Sequence, residues 1–132
     1  MITLFKTVKE IRSRSGDLHF KRFAIIEIKN LFALYIHKIY IHDKDEHLHN
    51  HPWNFAGVVL SGAYEEKTVE GINYKWPWTF YTGDRKFFHK INRMLSEPVT
   101  TLFFVWGKYQ EWGYDTPNGF VDSIAYRDNK HR

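Results

Sequence analysis

The chain has 132 residues and no cysteine, which suits one domain with a proper core and excludes disulfides, thiolate metal sites, iron–sulfur clusters and thiol nucleophiles. Its 19 basic and 15 acidic side chains leave a formal charge of +4, scattered with mild clusters at Arg12–Arg14, Lys21-Arg22 and 127–132, which reads as a solvated surface before a nucleic-acid footprint. No run of about 18 apolar residues occurs, so no membrane helix is expected. The opening Met1-Ile2-Thr3-Leu4-Phe5-Lys6 lacks a secretory layout, and a cytoplasmic location is the expectation.

Helical periodicity is nearly absent, and the best helical segment is a short piece over Val8–Arg14. Strand signals dominate the rest. Phe20, Arg22, Ala24, Ile26 and Ile28 alternate with Lys21, Phe23, Ile25, Glu27 and Lys29, a half-buried pattern. Ala33–Ile41 is apolar on both faces and predicts a central strand. Phe55–Leu60 predicts another, followed by a turn at Ser61-Gly62 and a strand over Ala63–Val69. Glu70-Gly71 predicts a tight hairpin into Ile72–Trp76. Trp78–Tyr81, Val99–Trp106, Tyr109–Tyr114 and Phe120–Tyr126 complete the series, the last two separated by the turn-prone Asp115-Thr116-Pro117-Asn118-Gly119. About ten short antiparallel strands predict an all-β sandwich or barrel, wide enough to hold a small-molecule ligand at one mouth. An aromatic content of 18% suits the filling of such an interior, and Trp53, Phe55, Trp106 and Trp112 are read as barrel filling before ligand stacking.

The chemistry centres on His49-Asn50-His51. Two histidines at i and i+2 of an extended strand point to one face, about 6–7 Å apart along it, close enough to share an ion. His89, after a glycine turn, is the candidate third ligand. His47 lies on the same face, but would stand about 13 Å from His51, so only one adjacent pair can bind. Pro52-Trp53 and the spacing to Gly62 favour His49 and His51, with His47 and His49 as the alternative pair. Three neutral imidazoles suit a divalent transition metal, iron first, with zinc, nickel or manganese as alternatives. They leave its charge uncompensated, which attracts an anionic substrate group.

Tyr64 and Glu66 share one strand face, with Glu65 on the other. Tyr64 reads as a core residue or a hydroxyl beside the site. Glu66 reads either as a fourth metal ligand or a base, or as a cross-strand partner of Lys75. Arg85 is a candidate anion contact or a surface residue, and Asp45 is expected to fix the loop before the histidines.

These residues resemble the cupins. The first cupin motif reads His-x-His, three or four residues, Glu, six residues, Gly, and His49, His51, Phe55 and Gly62 match that spacing with Phe55 in the place of the carboxylate. Tyr81-Thr82-Gly83-Asp84 through His89 resembles the second motif, without its Pro-x-Gly element. The chain is more closely similar to small bacterial and phage cupins with a His-x-His-Pro-Trp signature, matched by Asp45, His49, His51, Pro52, Trp53, Phe55, Gly62, Tyr64, Glu66, His89, Thr101, Leu102, Trp112, Gly113 and Tyr114. The resemblance implies a cupin-type double-stranded β-helix, or jelly roll, in a single domain, and a homodimer. The leading reading of the site is a metal held by His49, His51 and His89, with Tyr64, Glu66 and Arg85 as catalytic candidates in a dioxygenase-like enzyme, because three histidines leave positions for substrate and dioxygen. A non-catalytic sugar- or metabolite-binding cupin and a metal-free sugar-nucleotide isomerase or epimerase are the alternatives.

Overall fold

The structure is a computed structural model that describes residues 1–41, 48–51, 53–84, 86–107, 113–117 and 119–122. Asp45, His47, Pro52, Arg85 and Trp112 lie outside the described residues. Among the described residues all regular structure is β: β1 (Ile2–Arg12), β2 (Leu18–Ile28), β3 (Phe32–Ile39), β4 (Leu48–His49), β5 (Asn54–Thr68), β6 (Gly71–Lys75), β7 (Phe80–Gly83), β8 (His89–Trp106), β9 (Gly113–Thr116) and β10 (Gly119–Asp122). They form one antiparallel sheet in the order β1-β2-β3-β8-β4-β9-β10, with β5 pairing β8 and carrying β6 and β7.

Val8–Arg14 is not helical. Residues 8–12 belong to β1, whose Lys9 and Glu10 pair with Arg22 and Lys21 of β2. A helix that short is marginal alone, and the ladder with β2 satisfies the same backbone groups. Trp78 also falls outside a strand. It has a φ of 68° in the turn closed by Thr79 N–H donating to the Trp76 carbonyl at 3.0 Å, so β7 starts two residues later than the pattern predicts.

Ser61-Gly62 is not a hairpin turn. β5 runs straight through it as one 15-residue strand, and the register against β8 shifts at Val59/Ser61, Ser61/Ala63 and Ala63/Tyr64. Gly62 has a φ of +79°, and a Cβ there would lie 2.5 Å from the Pro98 carbonyl oxygen. The irregularity reverses the side-chain phase. Phe55, Gly57 and Val59 are buried before it, and Tyr64, Glu66 and Thr68 after it. β8 is likewise continuous, and residues 89–98, which carry no strong apolar signal, are its first half.

A second irregularity lies in β2. Ala24 pairs with Tyr35, yet Ile26 pairs with Leu34 and Glu27 with Ala33. Ala33, Tyr35 and His37 are the buried face of β3, so the shift moves Glu27 onto the same face as Arg22 and Ala24. Simple alternation would have put Glu27 opposite Arg22.

The interior contains two buried clusters. One joins Ala24, Ala33, Tyr35, Phe55, Phe103 and Val105, with Trp53, Tyr81 and Phe87 packed on it. The other joins Val59, Tyr64 and Val99, with Ile39, Tyr81, Ile91 and Met94 against it.

Candidate metal centre

β4 is only two residues long, but it fixes one critical register. His49 stands directly opposite His89, the first residue of β8, and opposite Tyr114 of β9 on its other side. Cross-strand partners hold their Cβ atoms about 4.5–5.5 Å apart. Asn50 anchors the chain beyond β4: its backbone N–H donates to the Gly113 carbonyl at 3.1 Å, and Gly113 N–H donates to its Oδ1 at 2.8 Å. Gly113 has to be small here, because a Cβ would meet the Val121 carbonyl oxygen at 2.2 Å. His51 then turns back toward the other two rings.

The result is a near-equilateral triangle of imidazoles. Ring centroids are 5.6 Å apart for His49 and His51, 5.0 Å for His49 and His89, and 5.0 Å for His51 and His89. One nitrogen from each lies within 4.8 Å of the others. His51 Nε2 and His89 Nε2 are 2.8 Å apart. Two ligands at right angles around an ion with metal–nitrogen bonds of about 2.1 Å stand roughly 3 Å apart, so this spacing fits a common ion.

The protonation chemistry fits as well. His89 Nδ1 donates to Glu66 Oε2 at 2.9 Å. A proton on Nδ1 makes Nε2 the lone-pair nitrogen of the ring, and that atom faces His51 Nε2. Burial holds the His51 pKa well below its ordinary value, and His89, His49, Arg22 and His37 push the same way. His51 is therefore neutral at physiological pH and able to ligate.

Phe55 is 1% exposed and occupies the motif's carboxylate position with an apolar ring. The ring lies 6.0 Å from His89 with an interplanar angle of 19°, and meets His51 edge-on at 5.1 Å. Glu66, 3% exposed, instead stands behind His89, and its Oε1 lies 3.8 Å from Lys75 Nζ. One carboxylate thus meets both the lysine expected across the hairpin and the His89 ring. Tyr64 is buried in the second core cluster. Beside it, burial pushes the Tyr81 phenol up to about 12, with the Glu66 carboxylate adding to the effect. No geometry is described for Arg85 or His47.

A polar cluster on β2 and β3 was not expected. Arg22 Nε donates to His37 Nε2 at 2.9 Å, and the guanidinium lies 4.7 Å over the Tyr35 ring and 5.9 Å from the Trp53 ring. Tyr35 donates its hydroxyl proton to Glu27 Oε2. Burial pulls the Arg22 pKa down and pushes the Tyr35 pKa up; nearby Tyr35 and Glu27 oppose the first shift, and the Glu27 bond reinforces the second. The sequence held a signal for part of this, an arginine in the apolar phase of a half-buried strand. Phe103 separates the two clusters, with its ring 4.6 Å from His37 and 6.0 Å from His51.

No family model matches the chain, and no curated protein does. Solved structures do. A cupin-2 domain protein from Rhodospirillum rubrum is similar with a TM-score of 0.64 and 11% identity, over 98% of this chain and 90% of that one. A cupin 2 conserved barrel domain protein from Rhodopseudomonas palustris gives a TM-score of 0.62 at 12% identity, over 90% of this chain and 79% of that one. The chain has a cupin fold. A sugar phosphate isomerase of the cupin superfamily from Silicibacter pomeroyi is also similar, with a TM-score of 0.53 and 14% identity over 79% of this chain and 75% of that one. The jelly-roll architecture expected from the histidine motif is therefore present, and a three-histidine group compatible with metal binding sits within this fold.

Proposed function

We propose that this cupin is a mononuclear metal-dependent enzyme acting on a small molecule, with His49, His51 and His89 as the ligands and a dioxygenase-like reaction. The observation that supports this most is the pairing of His89 Nδ1 with buried Glu66, which commits the Nε2 lone pair to the same point that His51 faces. An iron ion held by these three residues would supply Lewis acidity and a place to bind substrate and dioxygen. The chain's own residues do the rest. Glu66 orients His89 and fixes its tautomer. Phe55 keeps the site short of one anionic ligand, so the centre favours an anionic substrate group. Tyr64 and Arg85 are assigned to orienting substrate.

The test is elemental analysis of protein purified without added metal. Near-stoichiometric metal is expected in the native chain and in His47→Ala, and at least tenfold less in His49→Ala, His51→Ala and His89→Ala. Undiminished metal in the three triad variants sinks the assignment. Oxygen uptake by the anaerobically iron-loaded protein, screened against thiols, diketones and small acids, then tests the reaction class.

A second reading draws on the same pair. A histidine hydrogen-bonded to a buried carboxylate is also a general-base arrangement, as a metal-free isomerase or epimerase needs. Metal-free protein that turns over a sugar nucleotide, with loss of turnover in Glu66→Gln, selects it.

A further inference from the structure

Arg22, Glu27, Tyr35 and Trp53 line one cavity of about 360 Å³, together with Val105 and Trp106 of β8. That volume is in the range of small-ligand pockets. Its polar groups are unusual in how they are used. Among the described residues the only side-chain hydrogen bond of Arg22 is the Nε donation to His37, which leaves the terminal guanidinium nitrogens without an acceptor. Among the described residues the only one to Glu27 comes from Tyr35 and engages Oε2, which leaves Oε1 without a donor there. The two opposite charges therefore line the same cavity without forming an ion pair with each other.

Their placement is built rather than accidental. The register shift after Ala24 rotates Glu27 onto the face of Arg22. His37 accepts from the guanidinium, the Tyr35 ring lies 4.7 Å from it and Trp53 flanks it. Separate, oriented and half-buried opposite charges cost desolvation unless a ligand completes both. We infer that this cavity binds a small zwitterion, its carboxylate received by the free edge of Arg22 and its ammonium by Glu27 Oε1, with Trp53 and Val105 covering the carbon chain between them. The inference stands on the cavity and does not need a metal at the histidine centre.

Isothermal titration of chelator-treated protein tests it with matched probes: 4-aminobutyrate and β-alanine as zwitterions, butyrate as the anion alone and butylamine as the cation alone. At least one zwitterion should bind tenfold or more tighter than butyrate and butylamine. Arg22→Gln should weaken the zwitterion and butyrate alike by at least tenfold. Glu27→Gln should bring the zwitterion down to the level of butyrate and leave butyrate unchanged. Glu27→Gln is the second variant should Arg22→Gln fail to fold, which a thermal melt reports. Absence of binding by any zwitterion, or equal binding of zwitterion and butyrate that Glu27→Gln does not alter, overturns the inference. Because the protein is stripped of metal throughout, such a failure says nothing against the triad, which elemental analysis judges separately.

Discussion

At the scale of single residues, Glu66 has the most to explain, because a carboxylate 3% exposed has to be satisfied on both oxygens. His89 Nδ1 hydrogen-bonds one oxygen, and Lys75 Nζ, 3.8 Å from the other, supplies an opposite charge. Glu66→Gln keeps the volume and weakens the hold on His89. Metal affinity is expected to fall about 10–100-fold with little change in the melting curve, measured by competition with a calibrated chelator. His37 offers a second residue-level expectation. Burial, then Arg22, then Lys9 keep its pKa well below the ordinary value. The unfolded chain therefore binds a proton that the folded chain refuses, and stability falls as pH drops through about 6.5 and continues to fall toward the folded pKa. The slope from this one group is at most about 1.4 kcal/mol per pH unit. Urea melts between pH 5 and 8 should show it. His37→Gln, which still accepts from Arg22 and does not titrate, should give a shallower slope.

At the scale of elements, β5 and its glycine decide the site. If Gly62 did not reverse the phase of the strand, Phe55 and Glu66 could not both face inward. Gly62→Ala forces a left-handed φ on a residue with a Cβ and drives that Cβ against the Pro98 carbonyl. A loss of about 1–3 kcal/mol is expected in denaturant melts, together with weaker metal retention as Glu66 is displaced. This is also where the reading of the sequence met its limit. The two motif segments named the three histidines that meet in space, although His51 lies just beyond the two-residue β4 and His89 opens a different strand. Spacing could not tell a bulge from a turn at Ser61-Gly62, since both ask for glycine. It could not see that β2 changes phase after Ala24, so Glu27 was assigned to the wrong face and the Arg22–His37 pair was overlooked. Residues 89–98 were not read as strand because their partners, β4 and β5, supply the order that their own composition does not. The helix expected over Val8–Arg14 failed for the same reason, with β2 overriding a weak local preference.

At the scale of the whole molecule, the histidine triangle joins segments distant in sequence. His51 and His89 are 38 residues apart. An ion that binds the assembled triangle and not the unfolded chain adds its binding free energy to folding. Ferrous or zinc ion at a hundredfold excess over its dissociation constant should stabilise the native chain by about 2.7 kcal/mol, read as a rise in melting temperature. The His49→Ala chain should show a much smaller rise.

Strand β8 runs beside both clusters. It begins with His89, passes Thr101 and Phe103 opposite His37 and Tyr35, and ends at Val105 and Trp106 on the cavity wall. One hydrogen-bond ladder therefore serves as the common ruler of the molecule. A slip of a single notch would carry His89 away from His49 and would turn Phe103 to the outer face at the same moment. Neither cluster can drift without misaligning the other, and a lineage that reshapes one pocket must do so through side chains while leaving this backbone alone.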